Sequence, residues 1–432
     1  YPLVYYTFFK SEKISQVLFS AIPFFLVFII YMIIRRSVLD VMTFEGEMQL
    51  INNSLMAAKS STDRFATAMM MMGKYLLLLI FPHPLSCDYS YNQVPIVSLF
   101  DIRAITSIVI YGLAVVYAIM KIRKQDIIAF GILFFLITMS ITSNIFVKIG
   151  SSMAERFLFT PSLGFCIIIG FLLTKLYRGK LTEKLYISKT YFLLPFLLII
   201  LIAFSFKTYS RNKCWKNNDT LFFTDIKASP NSFRLQSAVG SNIRAKAETE
   251  RDPQKQRQMM LEAIQYYNKS LNIYDQQSDT WYNLGVAYYY IKDYGNARIS
   301  YDNALRLSPR KKEVYNNIGV MFFNTAPQQP LIQLQRQYYD SARAYFSKAV
   351  EIDSNYADAI GNLAVSYQYQ GKNAEAIQFY EKALSIEINP NTVRNYLKLL
   401  NHLMKYDSIN KQLYQQKADY INNIIQKFNI TI

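Results

Sequence analysis

Long apolar runs crowd the first half of this chain and are missing from the second. They fall at about 14–34, 65–81, 104–120, 126–147, 157–174 and 190–206. Each is near the ~20 residues that a helix needs to cross a hydrocarbon core, although 65–81 is short and holds Lys74. Beyond residue 210 no run is long enough to span a bilayer. The pattern predicts an all-α protein with a polytopic membrane domain over 1–207, a linker over 208–229 and helical repeats over 230–390. Capping helices at about 391–405 and 408–428 complete it, within a terminal region of 391–432.

Repeat positions define the second half. From Ser278 the chain places Trp281, Leu284, Gly285, Tyr288, Ala297, Tyr301, Ala304 and Pro309 at the signature positions of a tetratricopeptide unit. Small residues let the two helices of a unit approach, aromatics fill the gap between units, and Pro breaks the chain before the next unit. Another copy has Tyr315, Ile318, Gly319, Phe322, Ala342, Phe346 and Ala349, with about a dozen extra residues around Ala326-Pro327-Gln328-Gln329-Pro330. Leu363, Ala364, Tyr367, Ala376, Tyr380 and Ala383 form a further copy. A degenerate first copy runs from Pro230 through Gly240 to Ala263, Tyr267 and Leu271, interrupted by a charged stretch at 246–258. About four repeats result, the first and third carrying insertions.

Charge sets orientation. The net charge of +17 divides almost evenly, with 19 Lys+Arg against 10 Asp+Glu in 1–210 and 28 against 20 beyond. Its densest clusters flank apolar segments, which fits positive loops beside membrane helices better than a nucleic-acid surface. The short basic connectors Lys121-Ile122-Arg123-Lys124 and 175–184 are placed in the cytoplasm. Loop 82–103, the Glu155-Arg156 turn and everything after 207 then lie on the opposite side. Strict alternation puts 35–64 inside, whereas a re-entrant 65–81 puts it outside. Tyr1–Phe9 reads as the tail of an apolar helix already under way, so the chain is expected to be part of a longer one.

Few residues suit chemistry. The three Cys (87, 166 and 214) form no CxxC pair and there are two His, so neither a metal site nor a Cys/His catalytic pair is indicated. Cys87 and Cys214 share one side of the membrane on this topology, and spacing alone cannot pair them. Glu155 and Arg156 stand together where one apolar segment ends and the next begins. Arg156 is either a planar fork for a phosphate or carboxylate, or half of an interfacial ion pair with Glu155 that sets helix depth. Other polar candidates on that side are Asp88, Tyr89, Asp101, Arg103, Arg211 and Trp215. Asp88 or Asp101 is a candidate base or a solvated loop acid; Arg211 and Trp215 also suit interface anchors. Asn283, Asn317 and Asn362 share one offset in successive repeats. Stacked, they form a set of amides able to hold an extended peptide backbone, or simply a frequent residue at that offset.

The stretch Leu76–Ser90 with Phe81-Pro82-His83-Pro84-Leu85-Ser86-Cys87-Asp88-Tyr89, then Val94-Pro95, is followed by Ala154-Glu155-Arg156-Phe157-Leu158-Phe159-Thr160-Pro161-Ser162-Leu163-Gly164-Phe165. With Arg211-Asn212 to Trp215 and Pro230-Asn231 to Gly240, this order resembles the transmembrane-and-tetratricopeptide O-mannosyltransferases over about residues 45–390. The resemblance implies a GT-C type glycosyltransferase that passes a sugar from a polyprenyl-phosphate donor to a protein hydroxyl on the non-cytoplasmic face. It implies a catalytic acidic pair in a first external loop upstream of this chain, which leaves the catalytic residues of this sequence unassigned. It also implies donor phosphate binding by Arg156 with Glu155, Arg103 and Arg211, and no bound cofactor or divalent metal. The short repeat array fits a bacterial relative with another sugar.

The function expected is that of an integral-membrane glycosyltransferase fragment whose external repeats bind a protein or peptide acceptor. The membrane is either a bacterial inner membrane with periplasmic repeats or an endoplasmic reticulum membrane with lumenal repeats. Two alternatives are a membrane-anchored repeat scaffold and a polysaccharide polymerase or ligase with C-terminal repeats. The polymerase reading requires a large external loop rich in Arg and His, which this sequence lacks. Sidedness is directly testable. A variant retaining only Cys214 should react with an impermeant maleimide in intact cells or spheroplasts, and labelling only after lysis would overturn the topology.

Overall fold

The computed structural model describes residues 14–38, 50–176 and 187–430. The beginning of the chain, part of the 35–64 segment and most of the basic 175–184 connector lie outside the described residues. Among the described residues every regular element is helical. Contacts divide the chain into two units, Tyr1–Asn242 with Asn272–Tyr274, and Ile243–Leu271 with Asp275–Ile432.

In the first unit, helices coincide with all six apolar runs. They are α1 (Ile14–Val38), α2 (Ser61–Ile80), α3 (Ile102–Lys121), α4 (Ile127–Ser140), α5 (Pro161–Leu176) and α6 (Ile187–Cys214). By length and composition, Ile102–Lys124 is the one span among the described residues sufficient to cross a membrane. Ile22–Tyr31, Ile127–Ser140 and Pro161–Lys175 are shorter apolar stretches. Helices α2 to α5 pack in sequence order around Met71, Met72, Tyr75, Tyr111, Phe135, Met139 and Met153. Val109, Leu113, Val116 and Ile119 of α3 remain exposed, as suits a surface covered by lipid. Gly131 of α4 and Gly164 of α5 meet directly. A β-carbon on Gly164 would sit 2.5 Å from the Gly131 carbonyl oxygen, and one on Gly131 2.8 Å from that of Gly164. Small residues let two apolar helices approach where no hydrophobic force separates protein from lipid.

Three boundaries differ from the sequence expectation. The run at 126–147 is helical only to Ser140, because Asn144 is drawn into a polar node. Its Oδ1 accepts from Asn53 Nδ2 at 3.0 Å and Ile149 N at 3.0 Å, and its Nδ2 donates to the Ser151 and Ser152 carbonyls. Asn144 itself lies in the left-handed region at φ 60°. The run at 157–174 opens as a 3-10 turn, Glu155–Leu158, and its helix starts at Pro161, a residue without an N–H suited to a first helical position. The 208–229 linker is largely helical. Helix α6 continues to Cys214, and α7 (Asn218–Ala228) follows, capped by Asn217 Oδ1 accepting from Thr220 N at 2.9 Å.

The remaining helices are α8 (Phe233–Thr249), α9 (Pro253–Ile273), α10 (Ser278–Tyr290), α11 (Tyr294–Leu307), α12 (Lys312–Thr325), α13 (Ile332–Ile352), α14 (Ala357–Tyr369), α15 (Asn373–Ile386), α16 (Pro390–Tyr406) and α17 (Lys411–Phe428). In the second unit, helices α10 and α11, α12 and α13, and α14 and α15 form tight pairs, and α16 pairs with α17. Tyr267, Tyr301, Phe346 and Tyr380 occupy equivalent second-helix positions and are all at most 2% exposed. Tyr301 packs on Gly285 and Phe346 on Gly319, where a β-carbon would fall 2.6 Å from each ring. The extra residues of the third repeat form a 3-10 turn, Ala326–Gln328, and lengthen α13 to 21 residues against 14 in α11 and α15. The insertion is absorbed as helix, and the aromatic register resumes unchanged.

Because Phe346 is enclosed, Gly319→Ala should destabilise the repeats by about 1–3 kcal/mol through overpacking. Adding Phe346→Leu should recover part of the loss, measured as thermal unfolding by circular dichroism. A Gly319→Ala variant as stable as the parent would contradict this packing.

Candidate functional site

The loop between α2 and α3 is short of regular structure and rich in polar atoms, and its position is set by side chains from elsewhere in the first unit. Glu155, on the 3-10 turn, accepts from Ser86 N at 2.7 Å and from Tyr89 OH at 2.6 Å through the same Oε1. Burial, and then the Glu155 carboxylate, raise the Tyr89 phenol well above its ordinary range, so it stays a neutral donor. Lys74 Nζ lies 4.6 Å from the centroid of the Tyr89 ring. Asp225 of α7 accepts from Cys87 N at 2.6 Å. Asp88 turns inward: its Oδ2 accepts from Ser90 N at 3.0 Å and from the hydroxyls of Ser90 and Ser232. The backbone joins in, with Asn92 N to Asn231 O at 3.0 Å and Phe233 N to Tyr91 O at 2.8 Å.

Asp225 is the residue that sequence reasoning missed. It is fully buried and gripped by both terminal nitrogens of Arg211, Nη2 reaching Oδ2 at 2.8 Å and Nη1 reaching Oδ1. Burial acts to raise the Asp225 carboxyl. The Arg211 hydrogen bonds and the Cys87 groups outweigh it and hold the carboxyl below its usual range. Desolvation, then Asp225, push the Cys87 thiol up to about 12, so it is protonated and inert at neutral pH. Asp225 stands four residues after the buried Leu221, and an acid in line with the buried face of a helix was the available signal.

The predicted donor-binding residues separate in this geometry. Arg211 is committed to Asp225, with its guanidinium carbon 5.7 Å from the Trp215 ring. Arg103 folds back on Asp101, Nε to Oδ1 at 2.9 Å and Nη2 to Oδ2 at 2.8 Å, while Asp101 also caps α3. Those Arg103 bonds hold Asp101 at about 2, which makes it a poor proton acceptor. Glu155 and Arg156 do not pair with each other, contrary to the interfacial ion-pair alternative. Glu155 turns to the loop, and Arg156 is exposed beside the Phe157 ring at 5.3 Å, meeting no carboxylate among the described residues. Loop 82–103 and the Glu155 turn are thus brought together, and Arg156 is left with an uncommitted guanidinium.

In the second unit the repeat amides are partly used internally. Asn317 Nδ2 donates to Tyr282 OH at 3.2 Å, and Asn362 Nδ2 to Asn316 Oδ1 at 2.9 Å. Asn283 also has interactions of its own and is not a free amide. Asn317 and Asn362 nevertheless line two hollows of about 380 and 290 Å3 that share Val320.

Residues 49–115, which include the α2–α3 loop, match the family model described as Protein O-mannosyl-transferase TMTC, DUF1736. The chain carries the TMTC domain. Tetratricopeptide models match 278–311, 331–356 and 357–390. Protein O-mannosyl-transferase TMTC3 of Homo sapiens is 26% identical over 358 residues, covering 72% of this chain and 37% of the relative. Protein O-mannosyl-transferase TMTC1 of Mus musculus is 25% identical over 230 residues, covering 52% and 23%. The chain spans about a third of the length of the first of these relatives. A crystal structure of MamA is 19% identical, covering 39% of this chain and 85% of that one, with a TM-score of 0.30. The resemblance read from residues 76–90 and 154–165 therefore holds, as a TMTC domain joined to tetratricopeptide repeats.

The buried pair makes its own prediction. Asp225→Asn strands the Arg211 charge and should cost about 3–5 kcal/mol, whereas Asp225→Asn with Arg211→Met should cost clearly less. Because the Asp225 carboxyl is depressed in the folded state, its contribution is complete above its ordinary value of 3.8 and disappears as pH falls below that. Thermal unfolding from pH 7 down to 3 should fall more steeply in the parent than in Asp225→Asn. Parallel curves would remove the pair from the stability of this unit.

Proposed function

We propose that this chain is the part of an integral-membrane glycosyltransferase that holds the phosphate of a polyprenyl-phosphate sugar and presents a protein acceptor on its repeats. The observation that carries the proposal is the division of labour at Glu155 and Arg156. The acid is consumed in fixing the loop of the TMTC domain through Ser86 and Tyr89, so the adjacent guanidinium keeps its full charge at the apolar boundary. An exposed Arg there is a forked donor suited to a lipid-borne phosphate.

In the transfer, a bond forms between the acceptor hydroxyl oxygen and the anomeric carbon as the bond from that carbon to the phosphate oxygen breaks. The electron pair leaves with the polyprenyl phosphate, whose growing charge Arg156 stabilises. The acceptor proton goes to a carboxylate base, a role for which Asp101 is unsuited while it is held by Arg103. Basic 121–124 on the opposite side of the membrane supports non-cytoplasmic repeats. The TMTC relatives support mannose as the sugar and a protein as the acceptor.

Arg156→Lys tests the assignment, because an ammonium keeps the charge but loses the fork. In the full-length protein, transfer from a polyprenyl-phosphate mannose donor should fall about 10–100-fold, the loss of one charge-assisted bidentate contact, with membrane insertion unchanged. Near-parental transfer would return Arg156 to a depth-setting role, which Lys can fill by snorkelling.

A further inference from the structure

The two hollows that share Val320 differ in their charge. In the larger one Arg244 already pairs with Glu248, and the remaining wall is largely tyrosine: Tyr282, Tyr289 and Tyr290. The smaller is lined by Asn324 and Asn362 and by the first turns of α16, where Asn391, Arg394, Asn395 and Lys398 recur at helical spacing. Phe346 and Val365 form part of its apolar lining. No carboxylate lines this hollow, and neither Arg394 nor Lys398 has an ion pair among the described residues. Arg394 Nε is enclosed without a hydrogen-bond partner. A half-buried guanidinium with an enclosed, unmet donor is poorly solvated, and a negative group beside its exposed part would offset the lost hydration.

We infer that the hollow at Arg394 and Lys398 is a carboxylate-recognition site, and that the occupant of the repeats is an extended peptide bearing an Asp or Glu side chain. Asn391 and Asn395 beside the two cations offer donors and acceptors that match a peptide backbone, while Asn324 and Asn362 each spend a donor within the repeats. Two free charges match one or two carboxylates. A nucleic-acid strand would need a cation for each successive phosphate, and its next phosphates would meet Glu248 in the adjoining hollow. The tyrosines there suit apolar or hydroxyl-bearing neighbours of the acidic residue. This inference deepens the reading of the repeats as the acceptor-binding domain and rests on it.

The test uses the full chain in detergent and a fluorescein-labelled Gly/Ser peptide carrying a central Asp-Glu pair, compared with its Asn-Gln counterpart by fluorescence anisotropy. The acidic peptide should bind at least about tenfold more tightly at low salt, and the preference should shrink as salt rises. Arg394→Gln with Lys398→Gln should abolish the preference at unchanged helicity, and Arg394→Lys with Lys398→Arg should retain most of it. Equal affinities, no binding of either peptide, a preference that survives the double Gln variant, or stronger displacement by a single-stranded oligonucleotide would each overturn the site. Sugar transfer to a Ser-rich acceptor is followed separately. If the acidic preference holds while the double Gln variant transfers at the parental rate, the carboxylate site stands and the acceptor reading fails.

Discussion

Around the α2–α3 loop, most of the geometry depends on one buried ion pair. A loop in this position has backbone N–H groups that must find acceptors, since an unpaired one in a dry setting costs about as much as a lost hydrogen bond. Asp225 supplies an acceptor to Cys87 N, but a fully buried carboxylate is itself untenable without a cation. Arg211 provides that cation from the end of α6, and its two parallel bonds fix the acid's orientation as well as its charge. The arrangement ties together α6, α7 and a loop more than a hundred residues earlier. It also accounts for the helical character of the 208–229 linker: both partners of the pair must be held rigidly, and α6 and α7 are the rigid elements that hold them.

Glu155 solves the same problem for the next residues of the loop, and in doing so changes the meaning of its neighbour. Adjacent acid and base in a sequence suggest mutual neutralisation. Geometry favours a different outcome, because consecutive residues on a tight turn diverge, while Ser86 N and Tyr89 OH converge on Glu155 from across the unit. The acid is used by the loop, the base stays exposed, and the adjacent pair is not mutually neutralised. Lys74, over the Tyr89 ring, adds a second cation to the same neighbourhood.

The parts legible in the sequence were those governed by periodicity. Apolar runs located helices α1 to α6, and the Gly/aromatic spacing located the repeats, because each rests on many residues acting alike. Glycines 285 and 319 could be read as contact points since only they admit Tyr301 and Phe346 so closely. What escaped were single polar residues acting at long range. Asn144 lies inside an apolar run, and nothing nearby announces that Asn53, ninety-one residues earlier, will draw it out of helix. Asp225 shows only its alignment with the buried Leu221, which marks the position as buried but names neither Arg211 nor Cys87 as its partner. A residue whose partner is distant leaves no local pattern.

The repeat amides show the same limit from the other direction. Their common offset was visible, and Asn317 and Asn362 line the two hollows. Offset alone does not fix what an amide does, because a side chain with both donor and acceptor can satisfy a neighbouring repeat as readily as a ligand. Here Asn362 reaches Asn316 and Asn317 reaches Tyr282, so part of each amide's capacity is used in holding adjacent repeats in register. Recognition then has to fall on groups the solenoid does not use for itself. On α16 those are the two cations without acids, which cost little where they remain hydrated, but leave Arg394 Nε enclosed and unmet. A helix that needed only to shield the last repeat would place its polar groups outward, whereas α16 lines a hollow with two cations.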